Sequence, residues 1–198
     1  MNINLKEITY HLTSTQTKPN KVMKEKVVPY FLEHDVKTVL DYGCGKYLRD
    51  SVYLSKEGFI VDAVDLEEQV QRIELEKAKL INNVSTKNLY KNYYDASLLN
   101  FVLQVLPTKK QRENVLEEVC SAIKDEGYLV LSLMNQNYLT RCENRISFKD
   151  GFITHRGMYC TFIKTYERTE IEKLLNKSHL KIINITKIGD SFITLSQK

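Results

Sequence analysis

The stretch that most constrains this chain is TVLDYGCGKYLRDS, residues 38–51. A short apolar run ending at Tyr42 meets two glycines at alternate positions, Gly43 and Gly45, and then a segment of helical composition. The segment LRDSVYLSKEG supplies that helix, with Gly58 as its closing glycine, and FIVDAVD supplies a second strand. A strand, a helix and a strand in that order commit the chain to a crossover unit with parallel strands.

The rest of the chain extends the alternation. From Pro19 to Phe31 the residues Val22, Met23, Val27, Tyr30 and Phe31 recur at the spacing of one helical face, with Thr17 and Pro19 suited to its start and Pro29 predicted to kink it or end it early. Residues 67–81 carry a loose stripe of Val70, Ile73, Leu80 and Ile81 and are predicted helical. YDASLLNFVLQVL holds a strand ending near Asn100, Lys110 to Lys124 reads as an amphipathic helix, and GYLVLSLM reads as a buried strand. After a helix at 167–177, LKIINIT and SFITLSQ form a strand pair joined through Gly189 and Asp190. The expected fold is α/β: a doubly wound, mostly parallel sheet with helices on both faces and an antiparallel C-terminal strand pair. Residues 1–198 read as one domain, since no linker or repeat interrupts them. Within it, 1–35 forms an N-terminal helical cover, and the polar, turn-rich stretch 135–165 is an excursion or substrate cover.

Composition excludes several classes of function. Lysine and arginine exceed the acids by only 29 to 25, too small a surplus for a surface dedicated to coating DNA. Cys44, Cys120, Cys142 and Cys160 are widely spaced, so neither a metal knuckle nor a disulfide framework is indicated, and a reducing cytoplasm fits. No apolar stretch approaches the roughly 20 residues that span a bilayer, so no membrane role is expected.

Ligands of such sheets sit beyond the carboxyl ends of the strands, where strand order reverses. The glycine turn lies at one of those ends. A dinucleotide site wants a third glycine at position 48, where this chain has Leu48, and Asp41 would repel a pyrophosphate. A cationic ligand suits the turn better. An acid about 20 residues further on would accept two ribose hydroxyls; Asp65 stands there, and Asp62 reads as a solvent or turn-side residue.

On these residues the chain resembles the class I S-adenosylmethionine-dependent methyltransferases. VLDYGCGKYLRDSVYLSKEGFIVDAVDL is similar to the family's first β-α-β unit, and YDASLLNFVLQVLPTKKQRENVLEEVCSAIKDEGYLVLSL to its fourth strand, following helix and fifth strand. The resemblance implies a Rossmann-like methyltransferase fold with S-adenosyl-L-methionine as cofactor. It places Asp41, Tyr42, Gly43, Cys44 and Gly45 in the turn under the methionine moiety, and Asp65 at the ribose. Leu66 would lie against adenine, with Asn100 and Phe101 at the end of the fourth strand. Two departures stand out. Tyr47 replaces the family's third glycine, so the turn must open to house the ring or aim it at the ligand, and no third-strand acid is found, leaving Asn83 or Ser85 as substitutes.

Some assignments stay open at this stage. Arg49 reaches the cofactor carboxylate or makes a surface contact. Cys44 reads as a small side chain packed behind the cofactor. His11, His34 and His179 read as structural or solvated. His155 is a surface histidine or part of a substrate cover, and with Tyr94 it is a candidate general base. The segment 10–21 frays or closes over the cofactor. NFVL occupies the place of the motif used for amino methylation of DNA bases, and no proline precedes a cysteine, so common DNA base methylation is disfavoured. The implied activity is methyl transfer by in-line displacement to a small molecule. The alternatives are a non-catalytic cofactor-binding sensor or interaction protein, and an enzyme acting on RNA or protein.

Overall fold

The computed structural model describes residues 17–19, 21–86, 89–142, 144–156 and 159–198. The expectations for His11 and for most of segment 10–21 fall outside the described residues. A seven-stranded sheet is built from β1 (Thr38–Tyr42), β2 (Ile60–Val64), β3 (Asn83–Ser85), β4 (Tyr94–Asn100), β5 (Ile123–Met134), β9 (Lys181–Ile188) and β10 (Ser191–Gln197), in the order β3-β2-β1-β4-β5-β10-β9. The first five strands pair in parallel, and β10 runs antiparallel to both β5 and β9. The order reverses beside β1, which lies between β2 and β4.

Helices cover both faces because neighbouring strand residues point to opposite sides. On β4 and β5, Leu98 and Val130 join a core with Val39 and Val61, packed by Met23, Val27 and Phe31 and by Leu54 of α2 (Arg49–Lys56). Leu99, Leu129, Leu131 and Leu133 enter the opposite core, packed by Leu116 and Val119 of α5 (Lys109–Ala122) and by Ile171 and Leu175 of α6 (Arg168–Lys177). Helix α2 closes on Gly58, whose φ of +97° an L side chain resists. Helix α5 opens on a capping box: the Thr108 hydroxyl accepts from Gln111 N, and the Gln111 side chain accepts from Thr108 N.

Two local expectations are corrected. Pro29 does not end the first helix: the run continues through it into α1 (Val28–Glu33), with the helix changing its hydrogen-bond register just before the proline. A π-helical turn, Met23–Val27, precedes it, with Val28 N bonded to Met23 O. The segment 67–81 is not one helix but two single turns, α3 (Glu67–Val70) and α4 (Leu75–Ala78). Its stripe never closes into one buried face: Ile81 is buried and Ile73 packs partly against the core, but Leu80 is 46% exposed.

The excursion is an ordered unit. A 3-10 helix, Gln136–Arg141, leads into the antiparallel sheet β6 (Arg145–Phe148), β7 (Gly151–Arg156) and β8 (Tyr159–Ile163). Ile153, Cys160 and Phe162 form its own small core. Buried Arg112 of α5 pairs with Asp150 in the β6–β7 turn and donates to Leu106 O, tying the small sheet to the main one.

Candidate active site

A cavity of about 960 Å³ opens beyond the carboxyl ends of β1, β2 and β4, where strand order reverses. One end is formed by the glycine turn. Gly43 N and Cys44 N donate to Val64 O at 2.7 and 3.2 Å, fixing the turn to the end of β2. Gly45 N then donates to Asp65 Oδ2 at 2.6 Å, and Leu66 N donates to Asp65 Oδ1 at 2.7 Å. Each oxygen of Asp65 thus holds one backbone amide and keeps acceptor capacity for a hydroxyl pair. Burial raises the Asp65 carboxyl above its ordinary range despite those two amides. A hydrogen-bond donor arriving from the ligand would oppose that shift.

Gly43 is required for its backbone and for its neighbour. Its φ is +78°, and a Cβ there would lie 2.2 Å from Val102 Cγ2. The space beside this glycine is therefore filled by Val102, whereas the sequence reading implies the ligand. Phe101, at φ +62°, donates its amide to Ser132 O and turns the chain after β4, so that Phe101 and Val102 both face the cavity.

Behind the turn lies a buried polar network. Ser51 Oγ donates to Asp41 Oδ2 at 2.5 Å. Asp50 pairs with the Arg49 guanidinium through both its oxygens and accepts from Asn100 Nδ2 at 3.0 Å, while Asn100 Oδ1 accepts from Ser132 Oγ at 2.6 Å. Asp41, Asp50, Arg49 and Asn100 all line the cavity. Burial, followed by the nearby Asp50 charge, pushes the Asp41 carboxyl up to about 7. The Cys44 thiol is also raised, by burial and then by Asp41 and Asp65, so it stays a thiol and packs as a small apolar group.

The structure brings Asp41, Tyr42, Gly43, Cys44, Gly45, Arg49, Asp65, Leu66, Asn100, Phe101 and His155 to one cavity. Tyr42 holds Glu118 with its hydroxyl at 3.0 Å. The Arg49 side chain is turned onto Asp50. Tyr47 does not enter the cavity; its ring lies beside the ammonium groups of Lys46 and Lys77, 4.9 and 5.5 Å from its centroid.

Tyr94 is removed from the list of general bases. It begins β4, at the opposite end of the sheet from the cavity, and donates to Asp62 Oδ2 at 2.8 Å. Asp62 is buried rather than solvent-facing and also accepts from Asn82. Beside β3 the cavity reaches Thr86, one residue beyond the strand, and neither Asn83 nor Ser85. His34 stacks on Tyr30 at 3.8 Å, and His179 lies in the turn after α6. None of the described residues before Asp41 lines the cavity, so the helix at 23–33 packs against the sheet and does not cover the site.

The far end of the cavity is built from the excursion and from α5. Tyr138, Thr154, Thr161 and Ile163 line it, with Val115, Leu106 and Met134 opposite. The Thr154 and Thr161 hydroxyls are paired across β7 and β8 at 2.9 Å. Arg141 and Asp190 line it too and face each other at 3.0 Å. Sequence reasoning missed Asp50, Val102, Thr86 and Ser132. The first has the ordinary look of an acid in a helix's opening turn, and nothing in sequence shows that it is buried.

A fold and site of this kind define a methyltransferase domain, and the chain belongs to that family: its sequence profile matches residues 17–185. Solved structures share the fold at low identity. An S-adenosylmethionine-dependent methyltransferase from Methanosarcina mazei superposes with a TM-score of 0.71 at 19% identity, over 87% of this chain and 97% of that one. Magnesium protoporphyrin IX methyltransferase from Synechocystis, solved with bound SAH, gives 0.63 at 18%, over 93% and 90%. The 1,6-didemethyltoxoflavin-N1-methyltransferase of Burkholderia thailandensis, solved with bound 1,6-didemethyltoxoflavin and S-adenosylhomocysteine, gives 0.62 at 16%, over 90% and 81%. The search among curated proteins found no match to this chain. Among the described residues no helix is long and apolar enough to cross a membrane.

Proposed function

We propose that this protein transfers a methyl group from S-adenosyl-L-methionine to a small molecule. The observation that carries the reading is one continuous cavity with two chemically different ends. The first fits the cofactor. Asp65 offers acceptors for two ribose hydroxyls, Leu66 and Thr86 flank the place for a base, and the carboxylates Asp41 and Asp50 lie beside the glycine turn, where an ammonium group is favoured. When bound, the cofactor supplies a methyl group already activated by the positive sulfonium.

The chain's own contribution is then to hold the acceptor in line and keep water out. The β6–β8 sheet and the 3-10 helix before it serve as the acceptor wall, closing the second end with a mixed apolar and hydroxyl lining. The cavity of about 960 Å³, at the upper end of the 300 to 1,000 Å³ typical of small-molecule sites, suits a cofactor and a small acceptor held together. His155, on β7 at the cavity mouth, is the remaining candidate to take an acceptor proton.

Methyl-labelled S-adenosylmethionine, incubated with the protein and a size-fractionated cell extract, tests the reading. Label is expected in the small-molecule fraction. Label in protein or RNA would overturn the choice of acceptor, and tight binding without any transfer would favour a sensor.

A further inference from the structure

Two hydrogen-bond donors at the acceptor end of the cavity have nothing to donate to. Gln104, in the 3-10 turn Leu103–Val105 after β4, is 2% exposed and lines the cavity. Its Oε1 accepts from Met134 N at 2.9 Å, and a backbone N–H can only donate, so the carboxamide cannot be turned over and Nε2 is its free end. That nitrogen has no hydrogen-bond partner among the described residues. The one side-chain polar atom among them that is both sealed and unpartnered is the Tyr166 hydroxyl, so Gln104 Nε2 keeps an opening, and the cavity is what the side chain borders. Gln111, in the first turn of α5, repeats the arrangement. Thr108 N and Thr108 Oγ1 both donate to its Oε1, at 3.1 and 2.7 Å, which leaves Nε2 free while the residue lines the same cavity. A donor held in a pocket is costly once water is expelled, unless the ligand brings an acceptor.

We propose that Gln104 and Gln111 recognise the methyl acceptor through oxygen that carries no hydrogen, and that the acceptor is a small molecule bearing a neutral oxo group: a ketone, quinone, lactam or amide carbonyl. The inference rests on the proposed function and names its substrate class. Two observations select an oxo group. Both free ends are N–H groups, because each carboxamide oxygen is already occupied, so a hydroxyl or amine on the ligand would find no acceptor there for its own hydrogen. The two guanidinium groups that line the cavity among the described residues, Arg49 and Arg141, are paired with Asp50 and Asp190, so a carboxylate or phosphate would have to take one from its acid. Leu106, Val115 and Met134 offer apolar contact to the carbon frame around such a carbonyl. A site built on donors also discriminates, because an analogue lacking the oxygen leaves the protein's N–H groups bare.

Glutamate in place of either glutamine keeps the oxygen that serves Met134 N or the α5 cap and turns the free NH2 into a second acceptor. Methyl-labelled S-adenosylmethionine and the small-molecule fraction of a cell extract are the probe. Gln104→Glu and Gln111→Glu should each lower transfer of label into that fraction at least about tenfold, and Gln104→Met, which removes the donor without adding a charge, should do the same. Circular dichroism should show the native fold, and S-adenosylhomocysteine affinity, read by calorimetry, should be unchanged. The labelled product, isolated and read by mass spectrometry and carbon NMR, should contain a neutral carbonyl other than one the methylation itself creates. A product without such a carbonyl, variants that transfer label as well as the unmodified protein, or an equal loss of cofactor binding in all three variants would overturn the inference and leave the proposed function standing. No label in small molecules from the unmodified protein would overturn both.

Discussion

Replacing Gly43 by alanine separates the two demands that the turn places on this residue. The backbone demand comes from its φ of +78°, where an L side chain costs roughly 1 to 2 kcal/mol. The packing demand comes from Val102, whose Cγ2 would lie 2.2 Å from the new Cβ, far inside the ~3.5 to 4 Å at which two carbons rest. Relief requires Val102 to turn or shift, an overpacking cost of about 1 to 3 kcal/mol. Gly43→Ala is therefore expected to lose about 2 to 5 kcal/mol in urea denaturation. In a Val102→Ala background the nearest remaining atom is the residue's Cβ at 3.5 Å, an ordinary contact, and only the backbone cost survives. The double-mutant cycle should return a coupling of about 1 to 3 kcal/mol. Val102 also lines the cavity, so its displacement should weaken S-adenosylmethionine binding in the single variant, with partial recovery in the double. Additive losses, or an alanine at 43 as stable as glycine, would refute the account of this turn.

Three further outcomes follow from the same geometry. Asp65→Ala should weaken S-adenosylmethionine by about 1.5 to 3 kcal/mol, read by calorimetry, because charged hydrogen bonds to the ribose are lost along with the hold on Gly45 N; unchanged affinity would move the ribose contact elsewhere. Tyr94→Phe should leave methyl transfer intact and cost about 1 to 2 kcal/mol of stability, since Asp62 loses one of its two donors; a large fall in turnover would restore Tyr94 as a base. At the amino end of β4, burial alone would raise the Asp95 carboxyl, but Lys124 and the Thr38 and Lys37 groups outweigh it and hold it at about 2. A depressed carboxyl stabilises above its unfolded value near 3.9 and loses that contribution as pH falls towards 2. Asp95→Ala should therefore lower the melting temperature at pH 7 and have little effect at pH 2, and an equal effect at both would show that its charge is immaterial.

What the sequence disclosed and what it concealed divide along a physical line. The order of strands and helices follows from local pattern: both residues of a pair such as Leu98 and Leu99 are apolar because each face of the sheet is covered. Asp65 was legible because its distance from the turn is set by one helix and one strand. The excursion 135–165 hid its strands because burial there does not follow residue type: Ile146 on β6 is 41% exposed and Phe152 on β7 half-buried, while Gly151 is buried and the small core is Ile153, Cys160 and Phe162. Tyr94 illustrates the opposite failure. It opens YDASLLN, the segment similar to the family's fourth strand, yet a strand has two ends, and the seven residues of β4 carry Tyr94 to the one away from the cavity. The acids at 41 and 50 show the deepest limit. Asp41 stands out in the sequence beside the glycines but Asp50 does not, and only the fold shows both carboxylates buried at one cavity, Asp41 bonded to Ser51 and Asp50 to Arg49 and Asn100. A pattern of residue types along a chain records which groups can ionise, but the cost of ionising them is set by burial and by neighbours that only the fold assembles.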